Sequence, residues 1–92
     1  MEKELLPIGT VVTLINHPKT KLMIIGYKPV KEDETVKDYV AVAYPIGCID
    51  NKTFLAFDKS EIGEIVFEGY SDSLFEIYKN YYHNTNNNTN NL

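Results

Sequence analysis

Between Ile62 and Tyr70 the chain reads Ile-Gly-Glu-Ile-Val-Phe-Glu-Gly-Tyr. Ile65 and Phe67 fall on one side of a period of two, and Glu64, Val66 and Glu68 on the other. That alternation predicts a half-buried strand, with Ile65 and Phe67 in a core and the Glu64–Val66–Glu68 side in water. The stretch ends on Gly69 and runs directly into the one convincing helix signal. It also lies inside the densest acidic region, from Asp58 to Glu76. The rest of the chain is read as organised around this strand.

Four more strands precede it. Thr10–Ile15 is rich in β-branched residues, and Asn16-His17-Pro18-Lys19-Thr20 is a turn cluster. Lys21–Tyr27 is nearly continuous apolar, as a central strand covered on both sides would be. The two strands form a hairpin across the Asn16–Thr20 loop. Lys28–Lys37 is a charged, solvated excursion. Asp38–Tyr44 is the third strand, with Ala41 and Ala43 small enough for close packing, and Pro45-Ile46-Gly47 breaks it. Thr53–Phe57 is the fourth strand, and Asp58–Glu61 is a loop or single helical turn.

Ser73 and Glu76 have the spacing of a capping box. Leu74, Phe75, Tyr78, Tyr81 and Tyr82 then lie along one face of an amphipathic helix. From His83 onward Asn dominates, with no means of burying apolar area, and this predicts a disordered tail. The expected fold is α+β: one domain over residues 1–83 and a tail over 84–92. A small, strongly bent antiparallel sheet of about five strands, in the manner of an SH3-like half-barrel, carries one C-terminal helix.

Charge and cysteine narrow the function. Nine lysines and no arginine stand against thirteen acids, a net charge of −4, which argues against a nucleic-acid partner. Cys48 is the single cysteine, so no intrachain disulfide forms and a reducing compartment is expected. No leader-like apolar segment opens the sequence, and no apolar run approaches the roughly 20 residues of a membrane helix. The expected location is the cytoplasm.

Residue chemistry favours binding over catalysis. His17 and His83 have no Cys or His at ligand spacing, so no metal is expected. Cys48 follows Gly47 with no His near it in sequence and reads as a small hydrophobe. Asp58, Glu61, Glu64, Glu68, Asp72 and Glu76 suit a solvated edge followed by a helix first turn better than a catalytic pair. Gly26, Gly47, Gly63 and Gly69 are isolated and make no phosphate loop. Lys19, Lys21, Lys28 and Lys31 have only Tyr27 interleaved and read as a solvated face. The Tyr78, Tyr81 and Tyr82 stripe reads as core packing, and three tyrosines on one face of a terminal helix also suit a partner. The candidate partner-binding residues are Glu64, Val66, Glu68, Tyr70 and Tyr78; no cofactor and no enzymatic activity are expected. Nothing decides between monomer and homodimer.

Several pieces taken in order carry a resemblance. They are Leu5-Leu6-Pro7-Ile8-Gly9 with Val11-Val12, Lys21–Gly26, Asp38-Tyr39-Val40, Tyr44-Pro45 with Gly47, then Ile62 and Ile65–Tyr70. Over about residues 5 to 76 the chain resembles a small domain-of-unknown-function family from Gram-positive bacteria. That family is encoded in type VII secretion clusters beside LXG-type toxins. Ile46 departs from the pattern, which often places an acid there, and the Asn-rich tail has no counterpart. The resemblance implies a non-enzymatic cytoplasmic adaptor or chaperone for an LXG-type effector. The alternative is an immunity protein that plugs the cognate toxin domain.

Overall fold

The computed structural model describes residues 5–29, 34–50 and 53–87, with the side chains of 85–87 undescribed. Five strands, β1 (Val11–Leu14), β2 (His17–Tyr27), β3 (Tyr39–Tyr44), β4 (Leu55–Phe57) and β5 (Ile62–Phe67), precede the helix α1 (Ser73–Asn87). They form one antiparallel sheet in the order β4-β3-β2-β1-β5. The two edge strands, β4 and β5, are joined by residues 58–61 alone, which include a 3-10 turn at Lys59–Glu61. The edges of a flat five-stranded sheet stand about 19 Å apart. Five extended residue steps reach at most roughly 18 Å, and a 3-10 turn shortens that reach further. The connection is possible only because the open sheet bends, and the five antiparallel strands with one terminal helix are the α+β class the sequence predicts.

The bend encloses the core. Val12, Leu22, Ile24, Tyr39, Ala41 and Phe57 bury their side chains there, joined by Leu5 from the N-terminal lead-in and Tyr82 from α1. The pairs Val12–Leu22, Leu22–Ala43 and Ile24–Ala41 align across β1, β2 and β3, so the small alanines sit where β3 faces the core. Tyr39 stacks at a tilt on Phe57, with ring centroids 5.7 Å apart. Tyr82 packs edge-on to Tyr27 at 6.1 Å, and the Lys28 ammonium lies over its ring at 4.5 Å.

Local expectations shift in four places. The β1–β2 turn is two residues, Ile15 and Asn16, and His17–Thr20 is strand. That part of β2 projects past β3, whose pairing begins at Lys21, so the missing N–H of Pro18 costs no ladder bond on that side. The helix cap is Asp72 rather than Ser73: the Phe75 N–H donates to Asp72 Oδ1 (3.2 Å) and the Glu76 N–H to the Asp72 carbonyl (3.1 Å). α1 continues to Asn87, past His83, because each residue added to an existing helix gains a backbone bond. Its inward face is Phe75 and Tyr82, with Tyr78 at the margin, stacked on Tyr27 yet 38% exposed, whereas Leu74 and Tyr81 are exposed. The tail's last residues, 88–92, and residues 30–33 of the charged excursion lie outside the described residues.

The lead-in is locked by two tyrosines. Pro7–Thr10 turns with Gly9 at φ +95°, a conformation suited to glycine. Just before it, the Leu6 N–H donates to the Tyr39 hydroxyl (3.1 Å), and the Tyr27 hydroxyl donates to the Leu6 carbonyl (2.6 Å). Burial, reinforced for Tyr27 by the neighbouring tyrosines, pushes both hydroxyls above the ordinary tyrosine range. From the other end of the chain, the Gly69 N–H donates to the buried Thr10 Oγ1 (3.0 Å). A Cβ on Gly69 would collide with the Ile8 carbonyl and lie 2.8 Å from the Thr10 nitrogen.

Three outcomes follow for stability. Gly69→Ala is expected to cost about 2–3 kcal/mol, read from urea midpoints, because backbone rather than a flexible side chain must move. Asp72→Ala is expected to cost about 1 kcal/mol and to lower helicity by circular dichroism. Tyr27→Phe is expected to cost about 1–2 kcal/mol at neutral pH by leaving the Leu6 carbonyl unpaired. The folded-state values of Tyr27 and Tyr39 are raised, so their contribution is intact below about pH 10, where unfolded tyrosine ionises, and is lost as the pH climbs beyond it. The alkaline loss should therefore be shallower in Tyr27→Phe than in the wild type.

Candidate functional site

β5 holds the free edge of the sheet beside β1. Its register on β1 is Val11–Phe67, Val12–Ile65, Thr13–Glu64 and Leu14–Ile62, with shifts that leave Val66 and Gly63 as extra residues. A bulge of this kind reverses the side that the following residue faces. Phe67 therefore sits with Val11 on the face away from the core, instead of beside Ile65 on the core side. Every residue from Gly63 to Phe67 is exposed; Ile65, Val66 and Phe67 show 50%, 43% and 62% of their surfaces. The strand is not half-buried as its alternation predicts. The core is centred on β1–β3, and β5 is an overhanging rim.

On the outer face, Val66 and Phe67 join Val11, Lys21 and Tyr44 around a shallow groove of about 340 Å³. Tyr70 and Tyr78 fall on a different surface, a groove of about 470 Å³ between α1 and Ile8. There the Tyr70 hydroxyl donates to Asp72 Oδ2 (3.3 Å), and Tyr78 stacks on Tyr27 with centroids 5.4 Å apart. Glu64 and Glu68 are exposed beside the free edge. The five candidate residues thus divide into Glu64, Val66 and Glu68 near the edge and Tyr70 and Tyr78 near the helix.

The acidic stretch also divides. Asp58 Oδ1 accepts the Asp38 N–H (3.2 Å), Asp38 Oδ2 accepts the Lys59 N–H (2.8 Å), and Glu61 Oε2 accepts the Asp58 N–H (2.9 Å). The Lys37 ammonium lies 3.6 Å from Asp58 and 3.8 Å from Glu61. These acids hold the edge-to-edge connection against the start of β3. Asp72 caps the helix, and Glu76 pairs with Lys79 at 3.1 Å. The continuous acidic edge expected from the sequence therefore reduces to Glu64 and Glu68, which among the described residues have no ion-pair partner.

Sequence reasoning missed two features. Phe67, assigned to the core, is part of the exposed edge; only the bulge at Val66 puts it there, and period-two counting assumes there is none. A third pocket, of about 520 Å³, is lined by Leu14, Leu22, Leu55 and Ala56 together with His17 and Glu61. Its residues come from three separate segments, brought together only by the bend. Among the described residues no group of three or more His, Cys, Asp or Glu is placed to hold a metal ion, and no helix is long and apolar enough to cross a membrane.

No curated protein and no solved structure matches this chain. Residues 5–76 match the sequence profile of one family, described as a domain of unknown function (DUF4176). The match runs from the tyrosine-locked lead-in through the whole sheet to the first turn of α1, and on that span the chain belongs to the DUF4176 family.

Proposed function

We propose that this domain is a non-enzymatic, protein-binding module that docks a segment of another polypeptide on the free edge of β5. One observation carries the reading: three consecutive apolar residues, Ile65, Val66 and Phe67, lie exposed on an edge strand. Soluble proteins ordinarily blunt such edges because the unpaired N–H and C=O groups accept any passing strand. Here the two bulges and the flanking Glu64 and Glu68 limit which strand fits. A segment adding to β5 gains backbone pairing, an apolar seat on Val66 and Phe67, and charge selection for basic residues opposite the two glutamates.

The resemblance drawn from the sequence directs the choice of partner to an LXG-type effector of type VII secretion, bound in the cytoplasm before export. The division of the candidate residues supports β5 as the primary contact, since Tyr78 is already engaged with Tyr27.

Co-expression of the wild type, Val66→Arg and Glu64→Lys/Glu68→Lys with such an effector, followed by affinity capture, tests this. Val66→Arg is expected to reduce recovery at least about tenfold, a loss of about 1.4 kcal/mol or more, while the double lysine variant loses less and mainly slows association. Equal recovery by all three proteins removes β5 as the docking surface. Capture of the effector's C-terminal toxic domain alone, in place of its N-terminal targeting region, would make the domain an inhibitor rather than an adaptor.

A further inference from the structure

The solvent side of α1 is a second surface without a role in the reading above. Leu74, Ile77 and Tyr81 recur at i, i+3 and i+7, are 73%, 65% and 65% exposed, and form one apolar stripe. Tyr70 and Ile8 extend it beyond the helix N-terminus, both more than half exposed. This stripe lies beside the one that Phe75 and Tyr82 turn inward, with Tyr78 between the two, so the helix is apolar over two adjoining faces and covered on only one.

Its charge pattern is as telling as its apolarity. At 100° per residue, Ser73, Asn80 and Asn84 flank the stripe, and none of them carries a formal charge. Glu76, Lys79 and His83 fall on the far flank, where Lys79 is paired with Glu76. Asp72, the nearest acid, is already bonded to the Phe75 N–H and the Tyr70 hydroxyl. In a chain of net charge −4, two copies repel one another overall. This face alone, among the described surfaces of α1, brings no like charge to such a meeting.

We infer that the Leu74–Ile77–Tyr81 face of α1 joins a second copy of this chain, the two helices packing antiparallel across a two-fold axis near Ile77. An isologous contact needs a patch that complements itself. In the antiparallel arrangement Leu74 of each copy lies against Tyr81 of the other, a small side chain under a ring at both ends, and the two Ile77 side chains meet at the axis. With whole rings contributing 150–250 Å² each, the stripe with Tyr70 and Ile8 offers on the order of 600 Å² per copy. That places the pair at about 1,200 Å², the lower limit of specific protein–protein interfaces. The dimer is therefore one that dilution dissociates. β5 remains outside it, so its failure and the failure of β5 docking are separate events.

Sedimentation velocity of the full chain over a dilution series up to about 0.1 mM reads the equilibrium. A concentration-dependent dimer is expected, and Ile77→Glu should raise its dissociation constant at least about tenfold with an unchanged far-ultraviolet spectrum. A second test does not depend on that variant's folding. In a Cys48→Ala background, Ile77→Cys is expected to form a disulfide-linked dimer on mild oxidation, and Phe67→Cys is not. A wild-type chain that stays monomeric throughout the series overturns the inference. So does a dimer that cross-links through Phe67→Cys and not through Ile77→Cys, which would be an edge-strand dimer.

Discussion

The structure depends on how the backbone at Leu6 is held. Its N–H and carbonyl are gripped by Tyr39 and Tyr27, which leave from neighbouring strands of the sheet. A chain entering a domain ordinarily frays, because few buried contacts oppose the entropy of its first residues. Here the entry is fixed by two partly buried hydrogen bonds, and this sets Leu5 into the core, buries Pro7 and holds Gly9–Thr10 against β2. The same turn then receives the chain on its return: Gly69 crosses it so closely that only a hydrogen atom fits, and its N–H finds Thr10. Lead-in, sheet and helix approach are one assembly, and the family match at residues 5–76 spans all three.

Fixing the entry there decides what is central and what is peripheral. With the lead-in paired to β2 and the tyrosines filling the space under β2 and β3, the core has its full thickness over those strands. β5 is left as the strand that closes the bend. Its position follows from the short 58–61 connection, and that connection is itself braced by Asp38, Asp58, Glu61 and Lys37. Acids that look like a solvated ribbon in one dimension are therefore a hinge pin in three. Only Glu64 and Glu68 remain to give the exposed edge a sign.

Much of this was legible from residue order. Strand number, the antiparallel α+β class, the inward alanines of β3 and the terminal amphipathic helix follow from local pattern, because apolar spacing and turn residues act over a few positions. What was not legible depended on extra residues or distant partners. A single bulged Val66 turned Phe67 outward, since strand periodicity has no memory across an inserted residue. Pro18 read as a break because the sequence does not say where β3 stops. Asp72 displaced Ser73 as the cap because two adjacent residues both have capping side chains, and the path of the chain leaving Gly69 selects between them. The stripe Leu74, Phe75, Tyr78, Tyr81 and Tyr82 was one face by spacing, and the width of the surface available for packing cut it in two.

That division of the helix bears on function. A helix whose apolar arc is wider than its seat leaves the excess in water, and water disfavours it by roughly 25 cal/mol for each Å². The edge of β5 has a similar excess, but its chemistry differs: it is an edge strand with two carboxylates, and on the proposed reading it would take an extended, basic segment. The α1 face has satisfied backbone, a 3.6-residue spacing and no charge, and so selects a helix like itself. Two surfaces that reject each other's ligands can be occupied together. If β5 docks another polypeptide as proposed, that separation is useful, because pairing of two copies through α1 would present two β5 edges to one partner. Binding at the second edge would then be governed by local concentration, and two weak contacts would hold where one would not.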